Sequence, residues 1–131
     1  MKAIDTNILA RYLRDDDVLQ SARAARLMQR AVNERQPLFV NDAVLCELSW
    51  ILASVYDHEK DEIIKMVDSI LVADYLEVED RDTVQTALED YKHSKADFAD
   101  CLIGRRNRAL GCETTLTFDR GLRGLEAFKV F

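Results

Sequence analysis

Short apolar runs alternate along the chain with longer stretches in which apolar residues recur at helical spacing. Lys2-Ala3-Ile4 reads as a short strand, and Asp5 follows it at once. Ile8-Leu9-Ala10-Arg11-Tyr12-Leu13 then carries a helical repeat, which predicts a helix over 5–13. Arg14-Asp15-Asp16-Asp17 is a turn, with Asp17 the expected N-cap of a second helix running to about Arg35. Val18, Ala22, Ala25, Met28 and Val32 share one face of that helix. Arg23, Arg26 and Arg30 share another, read as a solvated face, with contact to an acidic partner as the sharper alternative. Pro37 ends the pattern, and Leu38-Phe39-Val40 is the next strand.

Asn41 or Asp42 should cap a third helix, in which Glu47 is the only charge between Ala43 and Tyr56. A helix apolar nearly all round is expected to be buried, in the core or in an interface. That places Glu47 where a charge must be paired, bound to a metal or neutralised. Residues 60–74 form an amphipathic helix, Leu76 and Val78 mark a strand, and Asp80 or Asp82 opens another helix. The stretch from Lys95 opens a helix to about Leu110, ended by Gly111. Thr114 to Phe118 reads as a strand followed by Asp119, Gly121 to Gly124 as a turn or short helix, and Phe128 to Phe131 as a last strand. Strands alternating with helices predict an α/β fold: a mostly parallel central sheet of four to five strands, with helices on both faces. One Pro and four Gly in 131 residues leave few breaks, so the expectation is a single domain over 1–131.

Composition narrows this picture only slightly. Hydrophobic residues make up 48% and charged residues 32%, as in an ordinary globular domain. No apolar run approaches the roughly 20 residues of a membrane span. The N-terminus lacks the apolar core and cleavage site of a signal peptide, so the expected location is cytoplasmic. Cys46, Cys101 and Cys112 show no CxxC spacing and are read as reduced, buried thiols. His58 and His93 are assigned to surface turns without a role, and zinc is not expected. The net charge of −6 argues against purely electrostatic nucleic-acid binding. It leaves room for a nucleic-acid enzyme whose carboxylates are neutralised by divalent cations.

The candidate chemistry is carried by Asp5, Glu47, Asp100 and Asp119, with Asp97 as a fifth acid. Each has a structural explanation. Asp5 can cap the first helix, Asp97 and Asp100 can form a capping arrangement, and Asp119 can serve a turn. For Asp97 the cap is the preferred reading. Right-handed crossovers bring the carboxyl ends of parallel strands to one edge, where ligands bind in open α/β sheets. Asp5 and Asp119 are expected to project there. Acids gathered on one edge repel each other without a counter-ion, and hard oxygen donors suit magnesium or manganese. The implied chemistry is metal-assisted hydrolysis of a phosphodiester.

These residues form motifs. Ile4-Asp5-Thr6-Asn7-Ile8-Leu9 resembles the opening of the PIN-domain nucleases, and Glu47 is similar in position to their second acid. Asp97-Phe98-Ala99-Asp100-Cys101-Leu102-Ile103 resembles their third motif and Thr115-Leu116-Thr117-Phe118-Asp119-Arg120 their fourth. The order and spacing span residues 4 to 120 and look most like the VapC toxins of bacterial and archaeal toxin–antitoxin pairs. The resemblance implies a three-layer α/β/α sandwich and a magnesium-dependent endoribonuclease that acts on RNA. It also implies a cognate antitoxin that holds the enzyme inactive, and a homodimer. By the same resemblance Asp5 and Asp100 would be the metal ligands, with Glu47 and Asp119 completing an acidic catalytic pocket. Thr6, Asn7 and Thr117 would orient ligands or a phosphate, and Asp97 is an extra acid whose role stays open. Arg105, Arg106 and Arg108, Arg11 and Arg14, and Arg120 and Arg123 follow the acids in sequence. Arg120 is the preferred RNA contact.

Two rivals are weighed. A magnesium-dependent phosphoryl-transfer enzyme of the haloacid-dehalogenase type wants a second Asp where Asn7 stands, and Lys129 is poorly placed for a receiver domain. A non-catalytic interaction module would use the apolar helix around Trp50.

Overall fold

Each helix of the computed structural model, which describes residues 1–131, begins where a polar side chain satisfies the free amides of its first turn. Asp5 caps α1 (Thr6–Arg14). Asp17 caps α2 (Val18–Glu34), its carboxylate accepting from the Gln20 N–H. Asn41 caps α3 (Asp42–Ser54) through the Val44 N–H. Glu59 and Glu62 form a reciprocal capping box at α4 (Lys60–Val72). Asp80 caps α5 (Arg81–Lys92) and Asp97 caps α6 (Phe98–Ala109). Helix α6 therefore starts three residues later than the sequence suggested, because Asp97 claims the cap.

The strands are β1 (Leu38–Val40), β2 (Leu76–Val78), β3 (Thr115–Thr117) and β4 (Phe128–Val130). All pairing is parallel, as expected of an α/β chain with helical crossovers. The hydrogen bonds form two two-stranded ladders, β1–β2 and β3–β4, rather than one ladder of four to five strands. Residues 2–4 lie alongside β1 without forming a full strand. Ile4 N–H donates to the Phe39 carbonyl at 3.0 Å, and Phe39 N–H donates to the Lys2 carbonyl at 2.8 Å.

The chain divides into two compact units, Met1–Glu79 and Asp80–Phe131. In the first, Leu9, Val40, Leu45, Leu48, Leu52 and Ile70 are fully buried, so α1, α3 and α4 close on the strands. In the second, α5 and α6 pack against each other around Val84, Leu88, Phe98 and Leu102. Arg105 braces this pair from α6 by a bidentate bond to Asp90 of α5, at 2.6 and 3.0 Å. No helix is long and apolar enough to cross a membrane.

Gly104 sits where α6 comes close to Phe128 of β4. A Cβ placed there would strike Cε2 and Cζ of the Phe128 ring on β4 and stand 3.0 Å from the Ala127 Cβ. Gly104→Ala is therefore expected to cost about 1–3 kcal/mol by overpacking, against the gain of under about 1 kcal/mol that Ala gives a free helix. Chemical denaturation of the purified variant checks the sign.

Candidate functional site

In the first unit Asp5 stands in extended backbone just before α1, with φ −89° and ψ 166°. Its Oδ1 accepts from the Thr6 N–H at 2.7 Å, and the side chain is exposed. The cap thus uses one oxygen and leaves the other facing out. Thr6 is buried, and its Oγ1 has no hydrogen-bond partner anywhere in the protein. An orphaned buried hydroxyl costs about 1–3 kcal/mol and calls for a missing partner such as water or a ligand. Asn7 is exposed on the first turn of α1.

Glu47 does not lie where the sequence suggested. The apolar helix α3 buries only the face carrying Leu45, Leu48, Ser49 and Leu52, and Glu47 is exposed. Trp50, one turn further on, is 62% exposed. Apolar content measured how little charge the helix carries, not how much of its circumference other elements cover. Glu47 is therefore an accessible carboxylate rather than an energetically costly buried one.

The second unit gathers three acids. Asp97 caps α6 by accepting from the Asp100 N–H at 2.7 Å. Asp100 lies in the first turn of the helix, half-buried, and its pKa is pushed up to about 6. Partial burial is the largest cause, followed by the charge of Asp97, a carboxyl–carboxyl hydrogen bond with Asp97 and the charge of Asp119. Asp119 is exposed, and its Oδ1 accepts from the Gly121 N–H at 2.8 Å in the 3₁₀ turn Arg120–Leu122. Thr117 fixes the approach to it, the Asp119 N–H donating to Thr117 Oγ1 at 3.0 Å. Asp100 thus carries a charge that its own surroundings oppose, and a bound cation would relieve it.

The donor chemistry fits a hard divalent cation: carboxylate oxygens crowded together in the second unit, and a free carboxylate oxygen beside an orphaned hydroxyl in the first. No three His, Cys, Asp or Glu side chains converge into a ready-made cage. Magnesium does not require one, since it keeps several waters and binds through one or two carboxylates.

A family model described as PIN domain matches residues 2–127. The chain belongs to the PIN-domain family. A curated relative, the VapC ribonuclease of Aquifex aeolicus (strain VF5), is 25% identical over 125 residues, covering 95% of this chain and 92% of its own length. No solved structure matches significantly.

The basic residues of this PIN domain are placed otherwise than their order in the sequence suggested. Arg105, Arg106 and Arg108 are each tied to an acid, respectively Asp90, Asp80 and Glu126. Arg14 pairs with Asp16, stacks 3.8 Å over the Tyr56 ring and contacts His58 Nε2. His58 is accordingly a largely buried bridge between Arg14 and Glu62 rather than a free surface residue. Arg120 is exposed and makes no ion pair. The cysteines are all free. Cys101 is buried and its thiol is pushed up to about 11 by that burial, so it packs as an apolar group, whereas Cys112 is exposed. Sequence reasoning passed over a cavity of about 660 Å³ between α1 and α2. Its one sequence signal was the spacing of Arg23, Arg26 and Arg30.

Proposed function

We propose that this PIN domain is a magnesium-dependent endoribonuclease, the toxin of a toxin–antitoxin pair, with manganese as a substitute ion. The observation that carries the reading is Asp100, a carboxylate disfavoured first by its partial burial and then by the hydrogen-bonded Asp97 and by Asp119, in the way a cation-binding acid is before its ion arrives. The name of the Aquifex relative supports RNA as the substrate and a cognate antitoxin as the partner. The ligand assignment to Asp5 and Asp100 rests on the motifs around them. When bound, the ion supplies charge neutralisation at the scissile phosphate and a lowered pKa for coordinated water.

The chain's own residues do the rest. Asp119 keeps one oxygen on the Gly121 amide, which locks its orientation, and leaves the other to hold or deprotonate the attacking water. Thr117 holds the backbone from which Asp119 projects. Glu47, being exposed, is free to complete the acidic pocket through water. Thr6 Oγ1 and the Asn7 amide offer polar contacts to a ligand or phosphate oxygen. Asp97 acts as a cap and as the charge that unsettles Asp100. In-line attack would give a 5′-phosphate and a 3′-hydroxyl. Exposed Trp50 on α3 and Val55 at its C-cap support a partner-covered face for a homodimer or the antitoxin. The proposed setting is the cytoplasm.

The test is growth after induction of the wild type and of Asp5→Asn, with the RNA of each sequenced at its 5′ ends. Asn caps a helix as well as Asp does, so the variant is expected to fold. Toxicity and new RNA ends should vanish together, and equal toxicity of both proteins would sink the reading. Magnesium should also raise the melting temperature of the partner-free protein. An ion at 100 times its Kd adds about 2.7 kcal/mol, so no shift at millimolar magnesium argues against the site.

A further inference from the structure

Helix α2 carries three arginines and, before Glu34, no acid. They fall at 23, 26 and 30, spacings of three and four that put all three on one face. In a protein of net charge −6 this is a concentrated positive stripe. Like charges at these spacings destabilise a helix by a few tenths of a kcal/mol per pair, so nothing local favours the arrangement. None of the three makes an ion pair or hydrogen bond, whereas the arginines of α6 are each held by an acid.

The stripe lines the cavity of about 660 Å³ between α1 and α2, together with Asn7, Arg11 and Gln20. No acid lines it. Arg11 is held in place by donating from Nε to the Gln20 Oε1 at 2.7 Å and by pairing with Asp16. From α1 the wall reaches Asn7, two residues beyond Asp5.

We infer that the α1–α2 groove is a docking track for the sugar–phosphate backbone of the RNA substrate, with Arg23, Arg26 and Arg30 each facing a phosphate. This rests on the ribonuclease reading and adds to it the surface that holds the strand. One feature favours RNA over an acidic peptide: the groove ends on the turn of α1 that follows the motif acid Asp5, so a strand held along it leads to that acid. Arginine is fully charged at any working pH and bidentate toward phosphate, which suits a track that reads no sequence.

The experiment uses the full chain with magnesium removed by chelator, so that binding is read without cleavage. Fluorescence anisotropy of a labelled, mixed-sequence single-stranded RNA is followed against salt for three proteins. These are the wild type, the triple variant Arg23→Gln/Arg26→Gln/Arg30→Gln, and a charge-matched control, Lys65→Gln/Lys92→Gln/Lys129→Gln. Gln has nearly the helix propensity of Arg, and the three positions are exposed, so α2 should persist, and circular dichroism confirms it. The triple variant is expected to bind at least 10-fold more weakly. Its slope of log affinity on log salt should shrink by about 2, at 0.7 per phosphate contact on a single strand. The control should keep most of the wild-type affinity.

Equal affinity and slope for the wild type and the triple variant overturn the groove. So does a glutamate-rich peptide that binds the wild type through these arginines while RNA does not. Cleavage by the wild type after magnesium is restored separates the two readings. RNA bound through the stripe but never cleaved defeats the ribonuclease and leaves the groove. RNA cleaved equally by both proteins defeats the groove and leaves the ribonuclease.

Discussion

Asp100→Asn should lower RNA cleavage at least about 100-fold without lowering thermal stability by more than about 1 kcal/mol. The activity loss follows from the role. Removing only an outer partner of a metal ligand costs about 10- to 100-fold, and removing the ligand itself should cost more. The stability expectation follows from the environment. Burial and the charges of Asp97 and Asp119 already disfavour ionised Asp100. An amide of the same shape removes that penalty and can donate an N–H to Asp97 in place of a shared carboxyl proton. Against this, the wild-type acid in the first turn of α6 gains about 0.3–1 kcal/mol from the helix dipole, and only while it is ionised. The first effect at least offsets the second, so Asp100→Asn should show lost turnover without lost stability. Single-turnover cleavage and a melting curve on the same preparation check both halves. Unchanged cleavage removes Asp100 from the metal site. A drop of several kcal/mol would make it a structural acid.

The skeleton that presents Asp100 was legible because it depends on local chemistry. Asp17 and Asp97 cap the helices they precede, and of the paired alternatives Asn41 or Asp42 and Asp80 or Asp82 the first caps in each case, because a cap acts within three residues of itself. Strands Leu38–Val40 and Leu76–Val78 were legible as apolar runs bounded by breakers and polar turns. What stayed hidden depends on neighbours distant in sequence. The arginines of α6 follow the motif acid Asp100 in sequence, but Arg105 finds Asp90 fifteen residues back and Arg106 finds Asp80 twenty-six back. No local pattern announces such pairs. The burial of Glu47 was misjudged for a related reason. Composition shows that α3 is apolar, and only packing shows that Leu45, Leu48 and Leu52 are covered while Glu47 and Trp50 are not.

Corrected in this way, the charge pattern separates by role. The arginines of α6 are tied to acids within the second unit, whereas Arg120 and those of α2 are left uncommitted. Adjacency in sequence to a motif acid is therefore not by itself a guide to substrate contact. The absence of an internal partner is the better one, since an unpaired guanidinium carries no cost of breaking an ion pair when phosphate binds. By that criterion Arg120 keeps its place as a candidate RNA contact and Arg105, Arg106 and Arg108 lose theirs.

Phe98→Ala should destabilise the protein by about 3–5 kcal/mol, the range for truncating a fully buried aromatic. Phe98 is 1% exposed and sits at the first position of α6, between the cap Asp97 and the site acid Asp100. Its ring meets Tyr91 of α5 edge-on, with centroids 6.0 Å apart and planes at 77°, a geometry that adds about 0.5–1.5 kcal/mol beyond area burial. Little can collapse into the space it leaves. Arg105 and Asp90 brace α5 against α6, and the Gly104 contact already brings α6 as close to Phe128 as a glycine allows. The cavity should therefore persist, which puts the cost at the upper part of the range. For a domain of this size the melting temperature should fall by roughly 10–20 °C. Phe98→Leu retains most of the volume and should lose less than half as much. Because the cap hydrogen bond and the Asp97–Asp100 contact flank Phe98, the Ala variant should also bind magnesium more weakly at temperatures where it is still folded. Isothermal titration with magnesium below the variant's transition tests that coupling. Equal magnesium affinity in a strongly destabilised Phe98→Ala would show that the acids of α6 hold their geometry without the core beneath them.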